Sequence, residues 1–299
     1  MIHVAFTMDC EQLNKNSHAG GPVDWGLSER AIIGFAEALK ARGFCATYFI
    51  IPQTAKQHAR LFGDLQKEGF EPGLHLHTLD QGWSEHLGGM TPDEQRRAIR
   101  SARDLWADAL GQEPKAFRGG NLSANDHTFP ILCELGFTHA SASVPRRRFV
   151  VCRAVWEGAI PYPHWAHSGN RLLEGGLPLL DVPVTCHPVR WHEPDRVVPW
   201  ELRIEGREWE HHGEIIAAHL DWQISLNAPL LACIPFTHNT REYADPRDEM
   251  AKRLTRVMDL IEEEAEKRGL PLHKTTIEGI HQAALRRRTQ GEQEGGEKR

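Results

Sequence analysis

Short apolar runs alternate with amphipathic helical stretches from residue 2 to about residue 275, and nothing else constrains the fold as strongly. A strand that is followed by a helix and another strand has crossed over, so the two strands run parallel. Residues 2–9 place Ile2, Val4, Phe6 and Met8 on one face and Ala5, Thr7 and Asp9 on the other. From Leu27 to Arg42, Leu27, Ala31, Phe35 and Leu39 recur every fourth residue, and Gly43 stands where such a helix ends. Cys45–Pro52 reads as a buried strand and 54–68 as a second helix closed by Gly69; the run that follows carries His75 and His77. Thr91-Pro92-Asp93-Glu94 is a capping box with proline at the first helical position, and it opens a helix to about Leu110. Strands near 115–119, 138–144, 179–185, 230–238 and 271–275 follow, with helices near 126–135 and from Asp245-Pro246 to about Arg268.

Seven or eight strand–helix units favour closure into a distorted (β/α)7-8 barrel over an open doubly wound sheet. The expectation is one α/β domain over residues 1–285 with two insertions. Residues 146–178, rich in Pro, Arg, His and Trp, read as an irregular excursion beside the site. Residues 186–226, with Trp191, Trp200, Trp209 and Trp222, read as a strand pair and a helix. The charged stretch 286–299 lacks apolar residues and is expected to be disordered.

The 41 acidic and 35 basic residues leave a formal charge of −6, which favours neither nucleic acid nor an anionic membrane as partner. The amino terminus has no basic start and no long apolar stretch, and no later run approaches the roughly 18 apolar residues of a membrane span. Six cysteines are scattered without a C-x-x-C pair, so reduced thiols in a cytoplasmic protein are expected. There is no Gly-rich dinucleotide fingerprint and no phosphate loop, which argues against a nucleotide cofactor. The oligomeric state is not legible.

His75 and His77 lie at i and i+2, so on a strand both imidazoles leave the same face. Paired neutral imidazoles suit a divalent first-row metal. Asp9 and Glu11 repeat the spacing at the end of the first apolar run. In parallel α/β barrels the catalytic groups gather at the C-terminal ends of strands. Asp9, Glu11, His75, His77, Arg118, Asp181 and His238 all fall at or near such ends.

The ordered motifs resemble those of the polysaccharide deacetylases (carbohydrate esterase family four, the NodB-homology domain). Phe6-Thr7-Met8-Asp9-Cys10-Glu11 is similar to the family's first motif, and Gly43-Phe44-Cys45-Ala46-Thr47-Tyr48-Phe49 to its G-x-x-A-T-F-F strand. Gly73-Leu74-His75-Leu76-His77 stands where the histidine motif belongs. Phe117-Arg118-Gly119-Gly120 resembles the R-x-P-G or R-x-G motif, and Pro235-Phe236-Thr237-His238 the late histidine strand. The likeness covers about residues 2–280.

The resemblance implies a distorted barrel, one divalent metal and hydrolysis of an N-acyl group, most often acetyl, from a small amino-sugar derivative. The metal would be zinc, with cobalt, nickel or manganese as alternatives. By the same resemblance Asp9 is the general base, His238 the acid that protonates the leaving amine, and Arg118 the partner that orients the base. Asp181 would tune a catalytic partner. Backbone N–H groups after the first-motif strand or near Gly119 and Gly120 could hold the oxyanion. Trp83, Tyr162 and Trp165, and also Trp156, lie on strand-end loops where aromatic faces could stack on sugar rings.

The chain departs from the family pattern at two points. Cys10 occupies the position of the metal-binding second aspartate, and alternation puts Glu11 beside Asp9, so Glu11 is the expected ligand with Cys10 as the alternative. The histidine motif is H-x-H where the family has H-x-x-x-H; Asp80 or His86 could complete the shell of Glu11, His75 and His77. Two rival readings follow: a hydrolase of non-sugar linear or cyclic amides, as in allantoin-cleaving relatives, and a catalytically silent carbohydrate-binding domain.

Overall fold

The computed structural model describes residues 1–193 and 197–296. Its main sheet has eight strands in the spatial order Phe236–His238, Phe6–Cys10, Ala46–Ile50, Glu71–Leu76, Ala116–Gly119, His139–Ala140, Leu180–Asp181 and His164–Trp165. The first seven are parallel, and only His164–Trp165 runs antiparallel to its neighbour. A second, three-stranded parallel sheet sets Ile2–Val4 between Leu231–Cys233 and Leu272–Lys274. The curled α/β half-barrel agrees with the distorted barrel expected from the alternation.

Both the run at residues 2–9 and the run at 230–238 split into two strands where one of each was expected. The offset between the two runs stays constant, with Val4 opposite Cys233 and Thr7 opposite Phe236. Pro235 stands between these pairs and has no N–H to give the ladder, so regular pairing lapses there. Thr7 N still donates to Pro235 O at 2.9 Å, which keeps the two halves in line.

Ile2, Val4, Phe6 and Met8 pack outward against the helices, in one core with Phe35, Tyr48, Leu74 and Trp106. Ala5, Phe49, Ala116 and Leu180 point into the barrel and form a second core with Ile277 and Ile280 of the last helix. Burying each large apolar side chain stabilises the fold by about 1.5–3 kcal/mol. Gly73 is required on the crowded inner face, because a Cβ there would stand 2.8 Å from the Ala116 Cβ and 3.2 Å from the Phe49 ring. At the barrel floor, Glu71 accepts from Thr47 Oγ1 (2.7 Å) and from Glu278 N (2.9 Å), and its Oε1 faces His139 Nε2 at 2.5 Å.

That anchorage corrects the expectation for the C-terminal tail. The last helix runs Ile277–Gly296, so residues 286–296 continue a helix where disorder was expected. Ile277, Ile280, Ala283 and Ala284 bury one face of it, and a helix nucleated by packing propagates into a polar stretch at little cost. Residues 297–299 lie outside the described residues. The segment 146–178 is less irregular than expected: Arg148–Phe149 pairs with Ala154–Val155, and His164–Trp165 joins the main sheet. Residues 186–226 form the strand pair Cys186–Trp191 with Pro199–Glu201 and the helix His212–Ser225. No described helix is long and apolar enough to cross a membrane, and all six cysteines are free.

Candidate active site

Glu11 follows directly on the strand Phe6–Cys10, and Asn239 grips it from the neighbouring strand end. Glu11 N donates to Asn239 Oδ1 at 2.9 Å, and Asn239 Nδ2 donates to Glu11 O at 3.0 Å. This latch holds the Glu11 side chain on the same inward face as Asp9. Cys10 alternates outward into the apolar core.

Glu11, His75 and His77 converge. Glu11 Oε1 lies 3.3 Å from His75 Nε2 and 3.0 Å from His77 Nε2, and one ligand atom of each residue falls within 4.8 Å of the others. His75 Nδ1 is 3.0 Å from the Arg118 carbonyl, the usual way in which a ligand imidazole is fixed with its Nε2 lone pair facing inward. Glu11 Oε2 is buried with no hydrogen-bond partner. Two imidazoles and an orphaned carboxylate oxygen are the donor set that a zinc-like cation takes. Burial raises the pKa of Glu11, but His77 and His75 more than offset it and hold the group well below the usual range. Neither Asp80 nor His86 joins the trio. Asp80 accepts instead from Ser17 Oγ at 3.0 Å and His18 N at 2.8 Å, which pins the loop that walls one side of the cleft.

Asp9 stands beside the trio and pairs through Oδ1 with Arg118 Nη1 at 2.7 Å. Arg118 is fully buried; it donates to Thr7 Oγ1 (3.0 Å), Ser141 O (3.0 Å) and Ser141 Oγ (2.8 Å), and its guanidinium lies 4.2 Å over the Phe49 ring. Burial raises the pKa of Asp9, yet Arg118, helped by His75 and His238, prevails and keeps the carboxyl below its ordinary range. Across the cleft, His238 Nε2 is 3.9 Å from Asp9 Oδ2. Its Nδ1 is 2.6 Å from Glu205 Oε1, and Arg203 Nε donates to the same oxygen at 2.9 Å. Burial pushes the pKa of Glu205 up, but Arg203 and His238 bring it down to about 2.

Glu205 is the partner that the sequence analysis missed. It comes from the inserted segment after the strand Pro199–Glu201, and no spacing sets it apart from the other acidic residues. Asp181, expected to tune a catalytic partner, acts on the buried Arg118 guanidinium through its charge. It accepts from Ala142 N (3.0 Å) and Ser143 Oγ (2.5 Å). Burial raises its pKa.

One cleft of about 730 Å³ contains Asp9, Glu11, His75, His77, Glu205 and His238. Gly119 and Gly120 are not on its wall. Their small size serves packing: a Cβ on Gly120 would fall 2.5 Å from the His77 ring, and one on Gly119 would fall 2.7 Å from Ser123 O. The aromatics expected to stack on sugar are also elsewhere. Trp83 packs on the outer core, Trp165 packs edge-on to His281 beneath the barrel, and Tyr162 sits near His164. Trp156 is buried and donates to Leu122 O at 2.7 Å. The aromatic residues that do line the cleft are Phe149 and Phe236.

Comparison with known proteins agrees with this architecture. The sequence profile of the polysaccharide deacetylase family matches residues 28–140. None of the curated proteins is similar to the chain in sequence. Among solved structures, the fold is similar to a candidate polysaccharide deacetylase from Mycobacterium smegmatis, at 14% identity and TM-score 0.58, covering 96% of this chain and 91% of that one. It is similar as well to a candidate glycoside hydrolase/deacetylase from Parabacteroides distasonis, at 11% identity and TM-score 0.67, covering 94% and 70%. The Puue allantoinase matches at 13% identity and TM-score 0.60, covering 94% and 89%. The chain is thus similar to the polysaccharide deacetylases over residues 28–140 in sequence and over nearly its whole length in fold.

Proposed function

We propose that the chain is a metal-dependent hydrolase that removes an N-acyl group, acetyl above all, from an amino-sugar derivative. One observation carries the reading: a buried Glu11–His75–His77 trio opens on the same cleft as an Arg118-paired carboxylate and a Glu205-paired imidazole. A divalent cation held by Glu11, His75 and His77 would polarise the amide carbonyl and acidify water. Asp9, kept ionised by Arg118, accepts the proton of the attacking water. His238 receives its orientation from Glu205 through Nδ1, so that Nε2 faces the cleft. From Nε2 it gives a proton to the amide nitrogen as the C–N bond breaks, and the amine leaves neutral.

The test is acetate release from N-acetylated glucosamine derivatives by purified protein, run beside elemental analysis and a chelator control. The expected result is one equivalent of metal per chain, turnover of the sugar amides and loss of turnover after chelation. Hydrolysis of cyclic ureides in place of sugar amides would move the substrate to the allantoinase side. Saccharide binding without turnover, whatever metal is supplied, would leave a silent binding domain.

A further inference from the structure

The Asn239 latch does not end at Glu11. Asn239 is fully buried, and its side-chain Oδ1 accepts from Glu11 N, so Nδ2 carries the two donors. One goes to Glu11 O and the other to Ser28 Oγ at 2.9 Å. Ser28, also fully buried, lies near the start of the helix Trp25–Lys40, and its Oγ stands 3.1 Å from His58 Nε2. Burial lowers the His58 pKa against the opposing charge of Glu29, which favours the neutral ring. Ser28 Oγ already accepts from Asn239, so its own proton is free to go to the Nε2 lone pair of that ring. The hydrogen bonds then run in one direction, from Glu11 N through Asn239 and Ser28 to His58.

His58 sits where the helices Pro52–Gln57 and Ala59–Lys67 meet. Trp25 and Phe62 pack edge-on against its ring, with centroids at 5.6 and 6.5 Å, and hold its orientation. It borders a depression of about 330 Å³ that Glu29, Arg60 and Asp64 also line, and none of these four residues lines the active cleft. Thr54 Oγ1, one helical turn before His58, gives Glu11 O its second hydrogen bond at 3.0 Å. The Glu11 backbone is thus braced from outside the barrel, and the brace is only as firm as its last member. The Asn239 amide can turn about its terminal torsion unless Ser28 fixes it, and the Ser28 hydroxyl can turn unless an acceptor fixes it. We infer that His58 is a positioning residue for the metal ligand Glu11, acting through Ser28 and Asn239 on the backbone from which Glu11 reaches His75 and His77. The inference rests on the metal-dependent reading above and adds that metal affinity is set in part by a residue outside the cleft.

Titration of the metal-free protein with zinc, and in parallel with cobalt, against a competing chelating indicator tests it. Asn239→Ala should weaken metal binding about ten- to a hundred-fold, the usual loss when a group that orients a ligand is removed. His58→Leu and Ser28→Ala, one and two steps further out, should each weaken it about five- to ten-fold. His58→Gln should stay within about two-fold of wild type, because its amide oxygen can take the Ser28 proton. The double variant His58→Leu/Asn239→Ala should bind metal as Asn239→Ala does, since the chain is already cut at Asn239. Should His58→Leu fail to fold, Ser28→Ala takes its place in the same cycle. Losses that multiply in the double variant, a Gln variant as weak as the Leu variant, or wild-type affinity in both His58→Leu and Ser28→Ala would each overturn the inference and leave the functional reading standing. Wild-type protein that takes up neither metal would overturn both.

Discussion

The two sides of the cleft were assembled by different means. On the metal-binding side, Glu11, His75 and His77 come from the tips of two strands, each two residues from an inward-facing neighbour. On the proton-donating side, His238 comes from a strand tip, but its partner Glu205 arrives from an inserted segment 33 residues earlier in the chain. The first side follows from strand periodicity, and the second depends on where a long connection returns. The difference teaches that local spacing can mark the residues that touch a cation or substrate, while the residues that orient them need not share any spacing.

Substitutions test this contrast, beginning with the largest effect. Glu11→Ala or His75→Ala should lose the bound metal and about three orders of magnitude in turnover, read by elemental analysis and acetate release. A variant that keeps both would break the assignment of the strand-tip trio. Asp9→Asn should cost about two to four orders in kcat and spare the metal, because the trio does not include it. Loss of metal in that variant would merge the two roles that the cleft keeps apart.

Glu205→Gln probes the side that has no sequence signature. It should lower kcat about ten- to a hundred-fold, with metal content unchanged, since only the orientation and charge support of His238 are removed. It also has a stability consequence whose sign is fixed. The Glu205 pKa falls from 4.5 to about 2 on folding, so its contribution is complete above about pH 4.5 and is lost as pH falls through about 2. That contribution is about 3 kcal/mol, and acid unfolding of the Gln variant should show a correspondingly shallower decline between those values. An unchanged acid-unfolding curve would count against the Glu205–His238–Arg203 cluster. The smallest effects belong to Trp83→Phe and Tyr162→Phe. Neither residue lines the cleft, so KM should stay within about two-fold of wild type.

The legible part of the fold came from periodicity. Leu27, Ala31, Phe35 and Leu39 mark a helix that runs Trp25–Lys40, and the capping box at Thr91 marks one that runs Pro92–Leu110 with both reciprocal hydrogen bonds formed. The alternation at Asp9-Cys10-Glu11 placed the two carboxyl groups inward and the thiol in the core. Other features were not legible because they depend on distant partners. Asp181 stands at a strand end like a site residue, but Ala142 N and Ser143 Oγ hold it, and it acts on Arg118 through its charge. Trp83 and Trp165 sit on connections whose composition suited a sugar platform, and packing drew them elsewhere. The C-terminal helix continues through a polar stretch because Ile277 and Ile280 close the barrel floor.

The sequence by itself determined the parallel α/β architecture and the inward direction of Asp9, Glu11, His75 and His77, because both follow from periods of two and of about four residues along a single segment. Only the tertiary structure decided that Asn239 latches Glu11 and that Glu205 backs His238. Those relations join residues from separate segments, and the path of the folded chain, not the spacing within any one segment, sets the distance between them.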